Sequence, residues 1–288
     1  MREFVIYTDS ACDIPPELLQ EWGVSYTWLT YVFDGEEKQY SNYDLPFHEF
    51  YDRVRAGGVA RTSAVNADAF SKGFEPILRE GKDILYIGFS SGLSGTYNAG
   101  CIAAQDLREK YPEREIRCVD TFGASGGFGL LVYMAVQKKL AGGTLEECEK
   151  VVLDNRFHLC HWFTVDDLVY LKRGGRISAA TAFVGNALNF KPVLHMDDAG
   201  HLINMFKVRG RKASLEAIAD KYGELALDKS GGTVFISHGD CRGDADKLAA
   251  ILHERYGAEV KEIVYVGPVI GAHSGPGTLA LFFLGEHR

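Results

Sequence analysis

No C-x-x-C pair occurs among the six cysteines, Cys12, Cys101, Cys118, Cys148, Cys160 and Cys241. Scattered through the chain, several in apolar or helical stretches, they fit buried free thiols in a reducing compartment better than a disulfide frame. Basic charge is also short. There are 31 Lys and Arg against 39 Asp and Glu, a net charge of −8, which argues against non-specific nucleic-acid binding. No uninterrupted apolar run approaches the roughly 20 residues of a membrane span. No apolar secretory segment follows the opening M-R-E-F-V-I-Y-T-D-S. The expectation is a cytoplasmic protein with no integral membrane segment and no nucleic-acid partner. The phosphate-loop pattern G-x-x-x-x-G-K-[ST] is absent, and so is G-x-G-x-x-G from the first strand-to-helix turn. There is no internal repeat and no low-complexity linker.

What is there supports a substantial core. The chain has 288 residues, 46% of them hydrophobic, enough for one large domain or two of ordinary size. Its organising stretch is I-L-Y-I-G-F-S-S-G-L-S-G-T-Y, residues 84–97. An apolar run fit for a buried strand passes into Ser90, Ser91, Gly92, Ser94, Gly95 and Thr96, and a helical pattern follows to Tyr111. The first N–H groups of a helix lack internal partners, and the helix dipole favours negative charge there. Hydroxyls add uncharged donors, and glycine permits close approach of a ligand.

The same alternation recurs through the first half. Strands are predicted at 4–7, 24–33 and 116–119, with helices from Asp13-Ile14-Pro15-Pro16 to Trp22, from Asp44-Leu45-Pro46 to Arg55, and over 67–79 and 128–140. Thr144-Leu145-Glu146-Glu147 reads as a capping box. Alternating elements argue a parallel sheet with helices on both faces, with ligands beyond the C-terminal ends of its strands. Asp9 and Ser10 fall there, although both are ordinary turn residues. Thr62 and Ser63 lie in a polar loop before a helix, where N-capping is the ordinary role.

Near residue 158 the pattern becomes mixed. A strand at 159–164 and a short helix at 165–171 precede the basic turn Lys172-Arg173-Gly174-Gly175-Arg176, a solvated turn or a docking point for an acidic partner. The apolar segment 179–190 predicts a buried or cavity-lining helix. Asp197-Asp198-Ala199-Gly200 between two apolar runs predicts a β-hairpin. Helices over 213–226 and 244–256, strands at 233–237 and 260–266, a Gly/Pro-rich loop over 267–277 carrying His273, and a closing strand at 278–284 complete the chain. The expected fold is α/β in two domains: residues 1–160, a mostly parallel sheet with the acid-group cradle, and residues 161–288, mixed α+β.

Gly88-Phe89-Ser90-Ser91-Gly92 matches G-x-S-x-G after a strand, the setting of a hydrolase nucleophile. Asp197, Asp198 or Asp240 and then His273 would complete a triad in the usual order, so a serine hydrolase or esterase using Ser90 and His273 is the enzyme alternative. His158-Leu159-Cys160-His161 contains metal-ligand types, but strand alternation splits them between faces. His238-Gly239-Asp240 at a strand end is open to either reading. Neutral hydroxyls, helix N-termini and one loop histidine beside an apolar second half suit a carboxylate with a long apolar tail. Burying a chain of roughly sixteen carbons gains about 11–12 kcal/mol gross, at about 0.8 kcal/mol per CH₂. The carboxylate resists burial unless hydrogen-bonded.

Taken together, T-D-S-A-C-D-I-P (8–15), T-S (62–63), S-S-G-L-S-G-T-Y (90–97), L-K-R-G-G-R-I-S (171–178), K-P-V-L (191–194), V-R-G-R-K-A (208–213) and G-P-V-I-G-A-H-S-G-P-G (267–277) resemble the DegV family of bacterial fatty-acid-binding proteins. The resemblance implies a carrier, not a catalyst, with no cofactor. Its ligand would be one long-chain fatty acid such as palmitate, stearate or oleate. The carboxylate would lie near Thr62, Ser63, Ser90, Ser91, Ser94, Gly95, Thr96 and His273, and the acyl chain in the C-terminal domain. It also implies presentation of the acid to a separate fatty-acid kinase that forms an acyl-phosphate, docked at the basic turn through Arg173 and Arg176. The family often has T-S-Q-P where this chain has Thr62-Ser63-Ala64-Val65-Asn66.

Overall fold

A computed structural model of the chain describes residues 2–178 and 189–288. Four strands, β1 (Phe4–Asp9), β2 (Val24–Thr27), β6 (Asp83–Gly88) and β7 (Ile116–Asp120), form a wholly parallel sheet in the order β2-β1-β6-β7. β6 is buried at all six positions. A central parallel strand is covered on both faces, so it reads as a continuous apolar run rather than an alternating one. Helices α1 (Pro16–Glu21), α2 (Phe47–Arg55), α3 (Ala67–Arg79), α4 (Thr96–Lys110), α5 (Ser125–Leu140) and α6 (Leu145–Asn155) belong to this half. The capping box at Thr144 is present, with Glu147 as its return partner.

A six-stranded mixed sheet follows. Its strands are β8 (Leu159–Thr164), β9 (Phe190–Met196), β10 (Leu202–Arg209), β11 (Val234–His238), β12 (Val260–Tyr265) and β13 (Leu279–Leu284), ordered β10-β9-β8-β13-β11-β12. Only β11 and β12 pair in parallel. The β9–β10 hairpin turns at residues 197–200, where Asp197 accepts from the Ala199 and His201 N–H groups and Gly200 adopts φ +77°. Its helices are α7 (Val169–Arg173), α8 (Arg211–Leu225), α9 (Arg242–Tyr256) and α10 (Pro268–Ser274). The division expected after residue 160 falls inside β8, which lies whole in the mixed sheet. The helix expected over 179–190 lies outside the described residues, except that Phe190 opens β9.

Three expectations need correction. The strand expected over 24–33 is two strands in different sheets. It breaks at Trp28-Leu29, where the Leu29 N–H donates to Ser10 Oγ at 2.9 Å. Its second part, β3 (Thr30–Phe33), joins a small antiparallel sheet with β4 (Tyr40–Ser41) and β5 (Ala60–Ser63). The first half of the polar loop expected at 61–66 is therefore strand, and Asn66, not Thr62 or Ser63, caps α3. The loop expected at 267–277 contains α10, with Pro268 at its first position, where a missing N–H costs nothing.

One apolar core runs through the parallel sheet and takes in Leu194, Phe235, Ala280 and Phe282 of the mixed sheet. A second lies beneath α8 and α9. Among the described residues no helix is long and apolar enough to cross a membrane.

Candidate ligand-binding site

The turn after β6 is set by Asp9 at the end of β1. Its buried carboxylate accepts from the Ala11 N–H (3.2 Å), the Phe89 N–H (3.0 Å) and the Tyr86 hydroxyl (3.1 Å). Asp9 thus pins the chain where it leaves the sheet. Burial raises its pKa to about 7 against those hydrogen bonds. The turn then docks on the β9–β10 hairpin: Ser90 Oγ, fully buried, donates to the Gly200 carbonyl at 2.9 Å. A Cβ on Gly92 would lie 2.5 Å from the Ala199 carbonyl oxygen, so only glycine allows this approach.

Beyond the docked part the turn opens on a cavity of about 340 Å³. One end is polar. Ser94 and Gly95 line it, and Ser94 Oγ lies 2.9 Å from Thr96 Oγ1 at the start of α4. Thr96 Oγ1 also accepts from the Val65 N–H at 3.3 Å, which ties α4 to the end of β5. From β5, Thr62 Oγ1 meets His273 Nε2 at 2.8 Å. Much of the remaining wall is apolar, with Phe89, Phe163, Met196, Leu202, Ile270 and Phe282 among its side chains, but Ser125, His161, Ser274 and Thr278 also line it. Both halves of the chain contribute to each part.

Of the expected site residues, Thr62, Ser94, Gly95 and His273 line this cavity, with Thr96 just behind Ser94. Ser63, one residue along β5, is exposed, because strand neighbours face opposite ways. Ser90 is spent on Gly200, and the half-buried Ser91 donates its N–H to Asp120 at 3.3 Å. Ser90 and His273 share no hydrogen bond: Ser90 Oγ donates to the Gly200 carbonyl, and His273 Nε2 meets Thr62.

The basic turn divides in two. Arg173 is exposed, its guanidinium 5.6 Å from the Tyr170 ring centre. Arg176 was expected beside it as a partner contact. Instead Gly175 (φ +70°) reverses the chain, and Arg176 lines the cavity, donating to the carbonyls of Leu93 (3.0 Å) and Gly174. The cradle thus contains a cation that the sequence reading placed outside. Among the described residues no Asp or Glu lines the cavity.

His273 is neutral here. Burial, and then the Arg176 charge, lower its pKa to about 4. A carboxylate bound beside it reverses the second effect and raises that pKa. Burial still opposes the charged ring, so the raised value stays below the ordinary imidazole's about 6.5; binding takes up a proton, and affinity for a carboxylate ligand rises as pH falls below about 6.5 towards about 5.5, where the ligand is still ionised. Titration with a fluorescent fatty acid at several pH values reads this, and His273→Gln flattens it; an unchanged slope in that variant would refute the assignment. The imidazole also has little room. Gly174 has an ordinary φ of −73°, but a methyl there would lie 2.1 Å from His273 Nδ1. Gly174→Ala therefore displaces the ring, and an affinity loss of about tenfold is expected in the same titration, the loss of roughly one hydrogen bond.

Sequence reasoning missed Ser125 and His161, both buried in the lining. A signal existed: Gly123-Ala124-Ser125-Gly126-Gly127 is a second G-x-S-x-G, between β7 and α5. Among the described residues no His/Cys/Asp/Glu group could hold a metal. His161 and Cys160 occupy opposite faces of β8 as strand alternation requires.

A cavity between a parallel and a mixed sheet, walled largely by apolar side chains and carrying hydroxyls, a histidine and an arginine close together, has the chemistry to suit an amphipathic anion. The DegV family of uncharacterised proteins matches residues 3–286, and the chain belongs to that family. A DegV domain-containing protein of Clostridium perfringens is 44% identical over 290 residues, covering 100% of this chain and 99% of the relative. Among solved structures, a DegV lipid-binding protein from Thermotoga maritima superimposes with a TM-score of 0.86 at 30% identity, covering 99% of each chain. A DegV family protein from Thermus thermophilus, described for its fatty-acid binding, gives 0.84 at 29% identity, covering 99% of this chain and 100% of that one.

Proposed function

We propose that this chain binds one long-chain fatty acid of the palmitate, stearate or oleate kind. The carboxylate sits among Thr62, Ser94, Gly95, His273 and Arg176, and the tail lies along the wall of Phe163, Met196 and Phe282. The observation that carries this reading is the asymmetry of the cavity. Among the described lining residues the one cation, Arg176, lies with Ser94 and the Thr62–His273 pair, and no carboxylate opposes an anion there. The neutral donors and the arginine meet the hydrogen-bonding need of a buried carboxylate. The lipid and fatty-acid binding of the Thermotoga and Thermus relatives supports the same class of ligand. The working division of the chain follows its two large sheets, with the cradle turn on the first and most of the acyl wall on the second. The protein is a carrier and not a catalyst, which the engagement of Ser90 with Gly200 favours. Its six free thiols fit the cytoplasm.

Native protein, extracted with organic solvent and analysed by mass spectrometry, is expected to release a fatty acid. Protein that comes up empty and also refuses added fatty acid would sink the reading.

The carrier presents its acid to a separate fatty-acid kinase, which forms the acyl-phosphate. Arg173 and Lys172 support this, being exposed cations three and four residues from the cavity-lining Arg176. Arg173→Ala is expected to leave fatty-acid affinity intact while kinase-dependent phosphorylation falls at least tenfold, about the worth of one strong charged contact. Unchanged phosphorylation in that variant removes the docking role.

A further inference from the structure

The cavity wall also holds polar groups away from its cradle, Ser125 and His161 among them. β8 and β13 pair antiparallel, with Leu279 opposite Thr164 and Phe282 opposite His161. Their cavity-facing residues are Phe163, Ala280, His161 and Phe282. Trp162 and Leu281 alternate to the other face, in the core beneath α8 and α9. The His273 end of the cavity joins β13 through Thr278, whose hydroxyl donates to the Gly275 carbonyl at 2.7 Å. From there to the level of His161 is three or four strand residues, about 10–13 Å. An extended chain advances about 1.2 Å per bond. A fatty acid anchored at His273 therefore passes His161 near the middle of its chain.

At that level the chemistry is specific. Ser125 opens α5 with φ +53°, and its hydroxyl donates to Asp13 Oδ2 at 2.6 Å. Ser237 Oγ lies 3.2 Å from the same oxygen; with its one proton spent on Asp13, Ser125 can meet a ligand in the cavity only as an acceptor. The Ala124 N–H donates to His161 Nε2 at 3.3 Å, a long bond that leaves room for a second acceptor. His161 Nδ1 faces the Leu159 carbonyl at 3.3 Å. Burial holds the ring neutral, its pKa far below the usual value. Ser125 and His161 are 5% and 2% exposed. A Cβ on Gly127 would lie 2.6 Å from His161 Nε2, so the glycine lets the ring sit against α5.

We propose that Ser125, His161 and the Ala124 N–H form a second, mid-chain subsite that selects fatty acids carrying a hydroxyl near the middle of the chain. The inference rests on the fatty-acid reading above. An alcohol both donates and accepts: its O–H goes to Ser125 Oγ, and its oxygen takes the shared Ala124 N–H. A methylene does neither and gains nothing from these groups, which already have partners within the fold, whereas an alcohol placed elsewhere along the apolar wall is buried unpaired. A charged substituent finds no counter-charge in the neutral imidazole.

The test uses the full chain freed of lipid and three probes: stearic acid, its derivative hydroxylated near the ninth or tenth carbon, and its derivative hydroxylated next to the terminal methyl. The mid-chain alcohol is expected to bind about tenfold more tightly than either of the others, the worth of roughly one hydrogen bond. Ser125→Gly, which keeps the positive φ open, is expected to bring the preference within about twofold while stearate affinity holds. His161→Phe gives a second reading, with the same loss expected, should Ser125→Gly fail to fold. Equal affinities for the three acids, or a preference that survives both variants, would overturn the subsite. Refusal of all three acids overturns the fatty-acid reading itself, and the subsite with it.

Discussion

Replacing Thr62 with valine is expected to weaken fatty-acid binding by about 10- to 100-fold. A hydrogen bond to a charged group is worth about 1.5–3 kcal/mol net, and each 1.4 kcal/mol is a factor of ten. Thr62 stands to lose that bond and its 2.8 Å contact with His273 Nε2, which also fixes the imidazole beside the cradle. Valine keeps the branched shape that suits β5 and adds no volume, so the fold should not change. Ser63→Ala is the internal control. It alters the neighbouring residue of the same strand, but on the exposed side, and should shift affinity by less than about twofold. Displacement of a fluorescent fatty acid measures both. Equal effects at the two positions would mean that the cradle does not use the cavity-facing side of β5.

The second large effect is on stability. Asp9→Ala removes the acceptor for the Ala11 N–H, the Phe89 N–H and the Tyr86 hydroxyl, all buried. Leaving buried donors unpaired costs about 1–3 kcal/mol each, so a loss of about 3 kcal/mol or more is expected. Urea unfolding reads this as a lowered midpoint at constant slope. An unchanged midpoint would show that water replaces the carboxylate without cost. The pH dependence has a definite sign. Burial raises Asp9 to about 7, so the folded chain holds a proton that the unfolded chain gives up above about pH 4. Unfolding releases that proton, and the Asp9 contribution to stability falls as pH rises from about 4 to about 7. Asp9→Asn, which cannot ionise, lacks that slope.

Local signals read well from the sequence because local physics decides them. The apolar run at 84–87, the capping box at Thr144 and the hairpin turn at 197–200 all form where their residues predict. What was not legible depends on distant partners. The break at Trp28-Leu29 follows from Ser10, nineteen positions away. Ser90 looks like a nucleophile until Gly200, 110 positions later, takes its hydroxyl. Arg176 differs from Arg173 only because Gly175 reverses the turn and Leu93 accepts the guanidinium. Thr62 and Ser63 were a pair in sequence, and β5 sends them opposite ways. Residue types announced a carboxylate cradle, but only strand direction and turn handedness decide which hydroxyls belong to it.

The contacts that make the cradle span great stretches of chain, Ser90 to Gly200 and Thr62 to His273, with separations of 110 and 211 positions. Closing loops of that length carries an entropic cost before any contact repays it, and such topologies order slowly. Core contacts are as distant, the Tyr51 hydroxyl donating to the Val266 carbonyl across 215 positions, so the cradle is expected to close together with the two sheets and not ahead of them. A molecule that binds only the finished cavity pulls the whole folding equilibrium by mass action, by about 2.7 kcal/mol at a hundredfold excess over Kd. For this chain, loading and folded stability are expected to be linked, so that a bound acid raises the unfolding midpoint.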